Sequence, residues 1–88
     1  MTDRADALLS AFATVLRRHR LAAGMTQEEL AHKAGVSPRY VSLLETRKYQ
    51  PTLATVDGIA LALGMPLAAF VTAIEAERAA SAASAPGT

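Results

Sequence analysis

The stretch Gln27–Thr46, QEELAHKAGVSPRYVSLLET, decides the fold. It reads as two short helices joined by a tight turn, predicted over 27–34 and 38–46. Thr26 stands where it can cap the first helix, and Glu29, three residues on, can close a capping box. Leu30 and Ala34, with Ala31 beside them, give that helix an apolar edge at helical spacing. Gly35 supplies the positive φ that a sharp helix-to-helix turn demands. Ser37 then caps the second helix, and Pro38 falls in its first turn, where a missing N–H costs nothing. Val41 and Leu44 are expected to face inward, leaving Arg39, Ser42, Leu43 and Thr46 facing out. Helices this short cannot hold their crossing angle alone, so the flanking segments must supply a core.

Those segments have the right pattern. Upstream, Leu8, Phe12 and Leu16, with Leu9 and Val15 beside them, repeat at helical spacing and predict a first helix over about 7–23, ending near Gly24. Residues 1–6 are polar and expected to be flexible. Arg17, Arg18, His19 and Arg20 close the first helix, where positive charge complements the macrodipole. Arg18 reads as a solvated group and His19 as a half-buried core side chain, while Arg17 is within reach of a phosphate. Downstream, Thr52 caps a helix over 53–63 whose Leu53, Val56, Ile59, Ala60 and Leu63 share a broad apolar face. Gly64 ends it. Pro66 opens a fifth helix, over 66–79, carrying Leu67, Phe70, Val71 and Ile74. This is more apolar surface than so small a core absorbs. Either helix five only caps the core, or Phe70, Val71 and Ile74 form a dimer interface, the reading preferred on patch size. The folded domain is thus expected over 7–77, with a disordered tail over 79–88.

Composition narrows the partners. Eighty-eight residues allow one small domain with a helical core. Without cysteine there is neither a disulfide nor a thiolate metal site, which suits a reducing, cytoplasmic setting. Residues 1–50 carry 8 Lys and Arg against 5 Asp and Glu, a net of +3, and residues 51–88 carry 1 against 3, a net of −2. The basic groups therefore travel with the helical pair. Asp3 and Asp6 precede any apolar run, so no secretion signal is expected. Asp57, Gly58, Gly64 and Pro66 divide the apolar run 53–74 into pieces too short to span a bilayer of ~30 Å. No metal-ligand spacing, paired carboxylates, phosphate loop or nucleophile–base set is recognisable. Accordingly no metal, no cofactor, no small-molecule effector and no enzymatic activity are expected.

Gln27, Glu28, Glu29, Leu30, Ala31, Gly35, Val36, Ser37, Tyr40, Val41, Ser42, Leu44 and Glu45 resemble the helix-turn-helix of the Cro/CI (XRE) family of DNA-binding transcriptional regulators. The likeness extends to Arg17, Arg20 and Gly24 upstream and to Pro51, Thr52, Leu53, Ile59, Ala60, Ala62, Leu63 and Gly64 downstream. TQEELA, GVS, YVS, LE and PTL in this order make it a specific resemblance. It implies an all-α, five-helix, lambda-repressor-like domain whose helix 38–46 enters the major groove of double-stranded DNA. It also implies a homodimer on a pseudo-palindromic operator. The alternative is an antitoxin or co-regulator module that binds a protein through its C-terminal helix.

By the same resemblance, Pro38, Arg39 and Leu43 occupy base-contacting positions. Arg39 suits guanine O6 and N7, with a phosphate contact as its other reading; Leu43 suits a thymine methyl. Ser37, Tyr40 and Ser42 offer hydroxyls to phosphates, and Gln27 offers an amide at a helix N-terminus. Thr46 completes the outward set. Arg47 and Lys48, in a basic loop, would clamp the backbone. Arg20 and Glu45 are expected to form a structural salt bridge. The family usually has glycine where Arg47 stands, so either Arg47 takes a left-handed backbone or the helix ends differently.

Overall fold

Each of the five apolar periodicities becomes a helix in the computed structural model, which describes residues 3–83. In chain order they are α1 (Asp3–Ala22), α2 (Gln27–Ala34), α3 (Pro38–Glu45), α4 (Leu53–Ala62) and α5 (Leu67–Ala83), with no strand among the described residues. Side-chain caps open three of them. Thr26, Ser37 and Thr52 accept from the backbone N–H of Glu29, Tyr40 and Thr55, and Glu29 completes the capping box by accepting from the Thr26 N–H at 2.8 Å.

One device closes the first four helices. Beyond each end a residue with positive φ lets two N–H groups turn back onto the last free carbonyls, a Schellman motif. At α1, Gly24 donates to Leu21 O and Met25 to Arg20 O; at α4, Gly64 donates to Leu61 O and Met65 to Ala60 O. Gly35 serves α2 in the same way. At α3 the left-handed residue is Arg47, φ 62°, with Lys48 N donating to Leu43 O at 2.9 Å. A side chain in that conformation costs roughly 1 kcal/mol.

α1 is the spine. It packs on α5 and α3, while α2 packs on α3 and α4, and α4 meets α5. Phe12, Val15 and Leu16 from α1 join Leu30, Ala31, Val41, Leu44, Ile59, Ala60, Phe70 and Ile74 in one core. Phe12 and Phe70 meet edge to face with centroids 6.1 Å apart, and His19, half-buried, lies edge-on to Phe70 at 6.4 Å.

The outer elements differ from expectation. Phe70 and Ile74 are not a dimer surface: they are 0% and 6% exposed, inside this chain's own core, because α5 crosses α1 with that edge inward. Val71 alone of the three is open to solvent. Leu53, expected on the inner face of α4, is 72% exposed, since the first residue of the helix projects past the rim of the core. α1 starts at Asp3 rather than residue 7, with acidic Asp6 in the first turn, where the macrodipole favours it. α5 runs on to Ala83 through alanines, the strongest helix formers, instead of fraying at 79. Residues 84–88 of the expected tail lie outside the described residues. No single described helix is long and apolar enough to cross a membrane; α4 and α5 together reach that length and composition but are bent by 102°.

Phe70→Ala should cost ~3–5 kcal/mol in urea unfolding, as expected for a fully buried aromatic. Val71→Ala should stay within about 0.5 kcal/mol, as for a surface position. Equal costs at the two positions would place Phe70 outside the core.

Candidate nucleic-acid interface

α3 offers one face to solvent because two side chains fix the other. Val41 and Leu44, three residues apart, are fully buried. That rotation leaves Ser37, Pro38 and Arg39 exposed at the N-terminal end and Tyr40, Ser42 and Leu43 half-exposed behind them. An α-helix or two-stranded ribbon fits the major groove of B-DNA, and N-terminal residues of such a helix reach base edges. Ser37 Oγ is occupied as the cap, accepting from Tyr40 N at 3.0 Å. Thr46 is also engaged: its hydroxyl donates to Ser42 O at 3.0 Å and sits beside Leu43 O at 3.2 Å.

The other end of α3 is held by charge. Glu45 accepts from Arg20 Nε at 2.6 Å and from Nη2 at 3.1 Å, a bidentate pair whose side chains are only 3% and 8% exposed. Arg20 Nη1 donates to Met25 O at 2.8 Å, which ties in the α1–α2 turn. Gln27 Nε2 donates to Glu45 Oε1 at 3.0 Å. Arg20 and Gln27 thus meet at one carboxylate, and Arg20 extends the network to the α1–α2 turn. The hydrogen bond that Arg20 donates to Glu45, more than the field of that carboxylate, raises the Arg20 pKa above the ordinary arginine value. The expected bridge is present, and Gln27, expected only as a phosphate donor, is also part of it. One amide hydrogen of Gln27 remains for an outside acceptor.

Arg17, Arg39, Arg47 and Lys48 are exposed and form no ion pair among the described residues. Arg18 does: it reaches across to α5 and binds Glu77 at 2.7 Å. That hydrogen bond holds the Glu77 carboxyl below its usual pKa. Three neighbours of the basic loop were not singled out by sequence. Ser10 Oγ lies 3.4 Å from Arg47 Nη1, and Thr14 lines the same cleft. Tyr49, beyond Lys48, packs its ring on Tyr40 with centroids 6.1 Å apart. Ser10 and Thr14 sit among the apolar repeats of α1, where a small hydroxyl carries no signal until α3 is placed opposite. Tyr49 follows a loop whose return path depended on Arg47.

A helix-turn-helix family model matches residues 16–70 of this chain. An uncharacterized HTH-type transcriptional regulator of Methanothermobacter thermautotrophicus is 45% identical over 51 residues, 58% of this chain and 74% of that protein. The clp gene regulator ClgR from Corynebacterium glutamicum superposes with a TM-score of 0.80 at 32% identity, covering 86% of this chain and 81% of its own. The restriction-modification controller protein C.Esp1396I, solved as a tetramer with its natural 35 base-pair operator, superposes with a TM-score of 0.77 at 30% identity, covering 82% and 95%.

Arg20→Met strands the Glu45 carboxylate in the interior and should destabilise the fold by ~3–5 kcal/mol in denaturant titration. Adding Glu45→Met should return most of that loss, because two apolar side chains then replace the pair. If the single variant is as stable as the parent, the pair is not buried in solution.

Proposed function

The chain belongs to the helix-turn-helix family of Cro/CI (XRE) type, and from that premise we propose a sequence-specific regulator that binds double-stranded DNA as a homodimer. α3 is the reader, and Arg39 is its principal base contact. The observation that carries this reading is the convex placement of α3, with Val41 and Leu44 locked inward and Arg39 outward. A guanidinium there can donate two hydrogen bonds to guanine O6 and N7, worth ~1–3 kcal/mol of discrimination. Leu43 follows one turn later and packs on a thymine methyl. Gln27, Ser37, Pro38, Tyr40, Ser42, Thr46, Lys48 and Arg17 complete the DNA-facing set; those with a free donor hold phosphates and set register. Such a protein works in the cytoplasm, where it meets the chromosome.

Dimerisation is supported by an apolar groove between the start of α1, the start of α4 and α5. Leu8, Leu53 and Val71 line it and are 45%, 72% and 40% exposed, and Leu9, Phe12 and Val56 form its floor. A two-fold axis through this groove relates two copies of α3, and adjacent half-sites on a pseudo-palindromic operator lie about 34–36 Å apart.

Arg39→Ala should relax discrimination at one base position in binding-site selection from random duplexes, while Lys48→Ala should weaken all duplexes alike. A uniform loss from Arg39→Ala would reassign Arg39 to the phosphates. Equal affinity of the parent for its selected site and a scrambled duplex at every salt concentration would reject specific regulation. Leu53→Glu with Val71→Glu should convert a dimer to a folded monomer by sedimentation. A parent that sediments as a monomer at micromolar concentration would favour a heterologous protein partner for the groove.

A further inference from the structure

The fourth helix end differs from the other three in one residue, and that residue borders a cleft. Gly24, Gly35 and Gly64 take φ of 72°, 74° and 76° with no side chain to strain, whereas Arg47 takes φ 62° with a side chain. Glycine would close α3 equally well through the same two backbone hydrogen bonds. The arginine must therefore be accounted for by what its side chain does.

Its guanidinium turns back toward α1, with Nη1 3.4 Å from Ser10 Oγ. There it borders an open cleft of about 630 Å³ between α1 and the end of α3, lined also by Thr14, Arg17, Arg18 and Glu45. Ser10, Thr14 and Arg17 fall at i, i+4 and i+7, one face of α1. The remaining charges of the cleft are already committed. Arg18 is bound to Glu77, and the Glu45 carboxylate already accepts from Arg20 and Gln27. Arg17 and Arg47 are left as cations without a carboxylate partner among the described residues, with two hydroxyls lining the same cleft. Two guanidinium groups and two hydroxyls match the oxygens of one phosphodiester.

We propose that Arg47 holds the left-handed position at a cost in stability so that, with Arg17, it seats a DNA phosphate beside α3. This assignment rests on the DNA-binding reading above and gives the cleft its occupant. Because Arg47 lies two residues beyond the end of α3, the seated phosphate belongs to a strand bordering the groove that α3 enters. The contact carries no base information and acts on every sequence alike.

The test compares Arg47→Gly, Arg47→Lys and Arg17→Ala for melting temperature and for duplex affinity across a salt series. Arg47→Gly should melt higher by roughly 4–8 °C, the shift expected for a domain of this size when the strain is relieved. It should also bind selected and scrambled duplexes more weakly. The slope of log affinity against log salt should fall by ~0.9, which makes the loss roughly eightfold at 0.1 M salt relative to 1 M. Arg17→Ala should lower the slope similarly without raising the melting temperature, and Arg47→Lys should keep the slope. A glycine variant that melts no higher, or that binds with an unchanged slope, overturns the proposal. If Arg39→Ala still loses discrimination in that case, the groove reading stands without the clamp. A parent protein that binds no duplex overturns both. Arg47-dependent displacement of the duplex by inorganic phosphate at matched ionic strength would mark a free-anion site and overturn the assignment to the DNA backbone.

Discussion

The Arg20–Glu45 pair is the contact on which the presentation of α3 depends. Eight residues make a helix of about 12 Å, and such a helix has little stability of its own. Val41 and Leu44 anchor α3 by two side chains, which set its inward face but leave rotation about their common line weakly determined. Glu45 adds a third point at the end of the helix. Through Arg20 that point is fixed to α1 and to the α1–α2 turn, and through Gln27 to the start of α2. A buried ion pair contributes little net stability, because removing two charges from water offsets most of their attraction. Its consequence is directional. A bidentate guanidinium–carboxylate contact tolerates small angular error only, so the exposed edge of α3 is set relative to the whole body.

Charge is sorted by the same logic across the surface. The net of +1 conceals a division between committed and uncommitted cations. Arg20 and Arg18 are spent within the molecule, on Glu45 and Glu77. Arg17, Arg39, Arg47 and Lys48 are not, and they gather around α3 and the loop that follows it. Two of the five acids of the basic half are tied up in structure, Glu29 in the capping box and Glu45 in the ion pair. A protein of nearly neutral total charge thereby keeps a locally cationic face, which is what a polyanion meets at close range.

The central helical pair was legible because each of its signals is local. Caps, a glycine turn and a three-residue apolar spacing are read within a single turn of chain, and α2 begins and ends where they indicate. The long-range Arg20–Glu45 pair became legible through family resemblance, since nothing in the spacing of two charges 25 residues apart reveals it. The outer helices were harder for a physical reason. The first two turns of α5, residues 67–74, are apolar or small on every side, so periodicity shows a helix without showing which edge meets α1; Phe70 and Ile74 were thus assigned outward and Val71 was not distinguished from them. Leu53 lay on the expected face of α4, yet a face extends beyond the core it covers, and the first residue of a helix overhangs. At Arg47 two helix endings were open, and the chain took the strained one. The Schellman ending satisfies the carbonyls of Leu43 and Leu44, and leaving such groups unpaired costs about as much as the strain, or more.

That ending also determines what lies beside α3. A left-handed residue at 47 turns the chain sharply, so Lys48 and Tyr49 travel back along α3 instead of away from it. Tyr49 then meets Tyr40, near the start of the helix, ring against ring. The loop is fastened at both ends, by backbone hydrogen bonds at its root and by an aromatic contact near its far side. α3 is in this way bracketed by its own cap at Ser37, by the core beneath it and by the returning loop. Ordering entropy is one of the larger costs of binding a polymer, and it falls mainly on loops and long side chains. Here those contacts hold the loop without any partner. What remains to be ordered is a small set of arginine and lysine side chains, and the shape that a groove would meet is already set by a closing turn that glycine would have made with less strain.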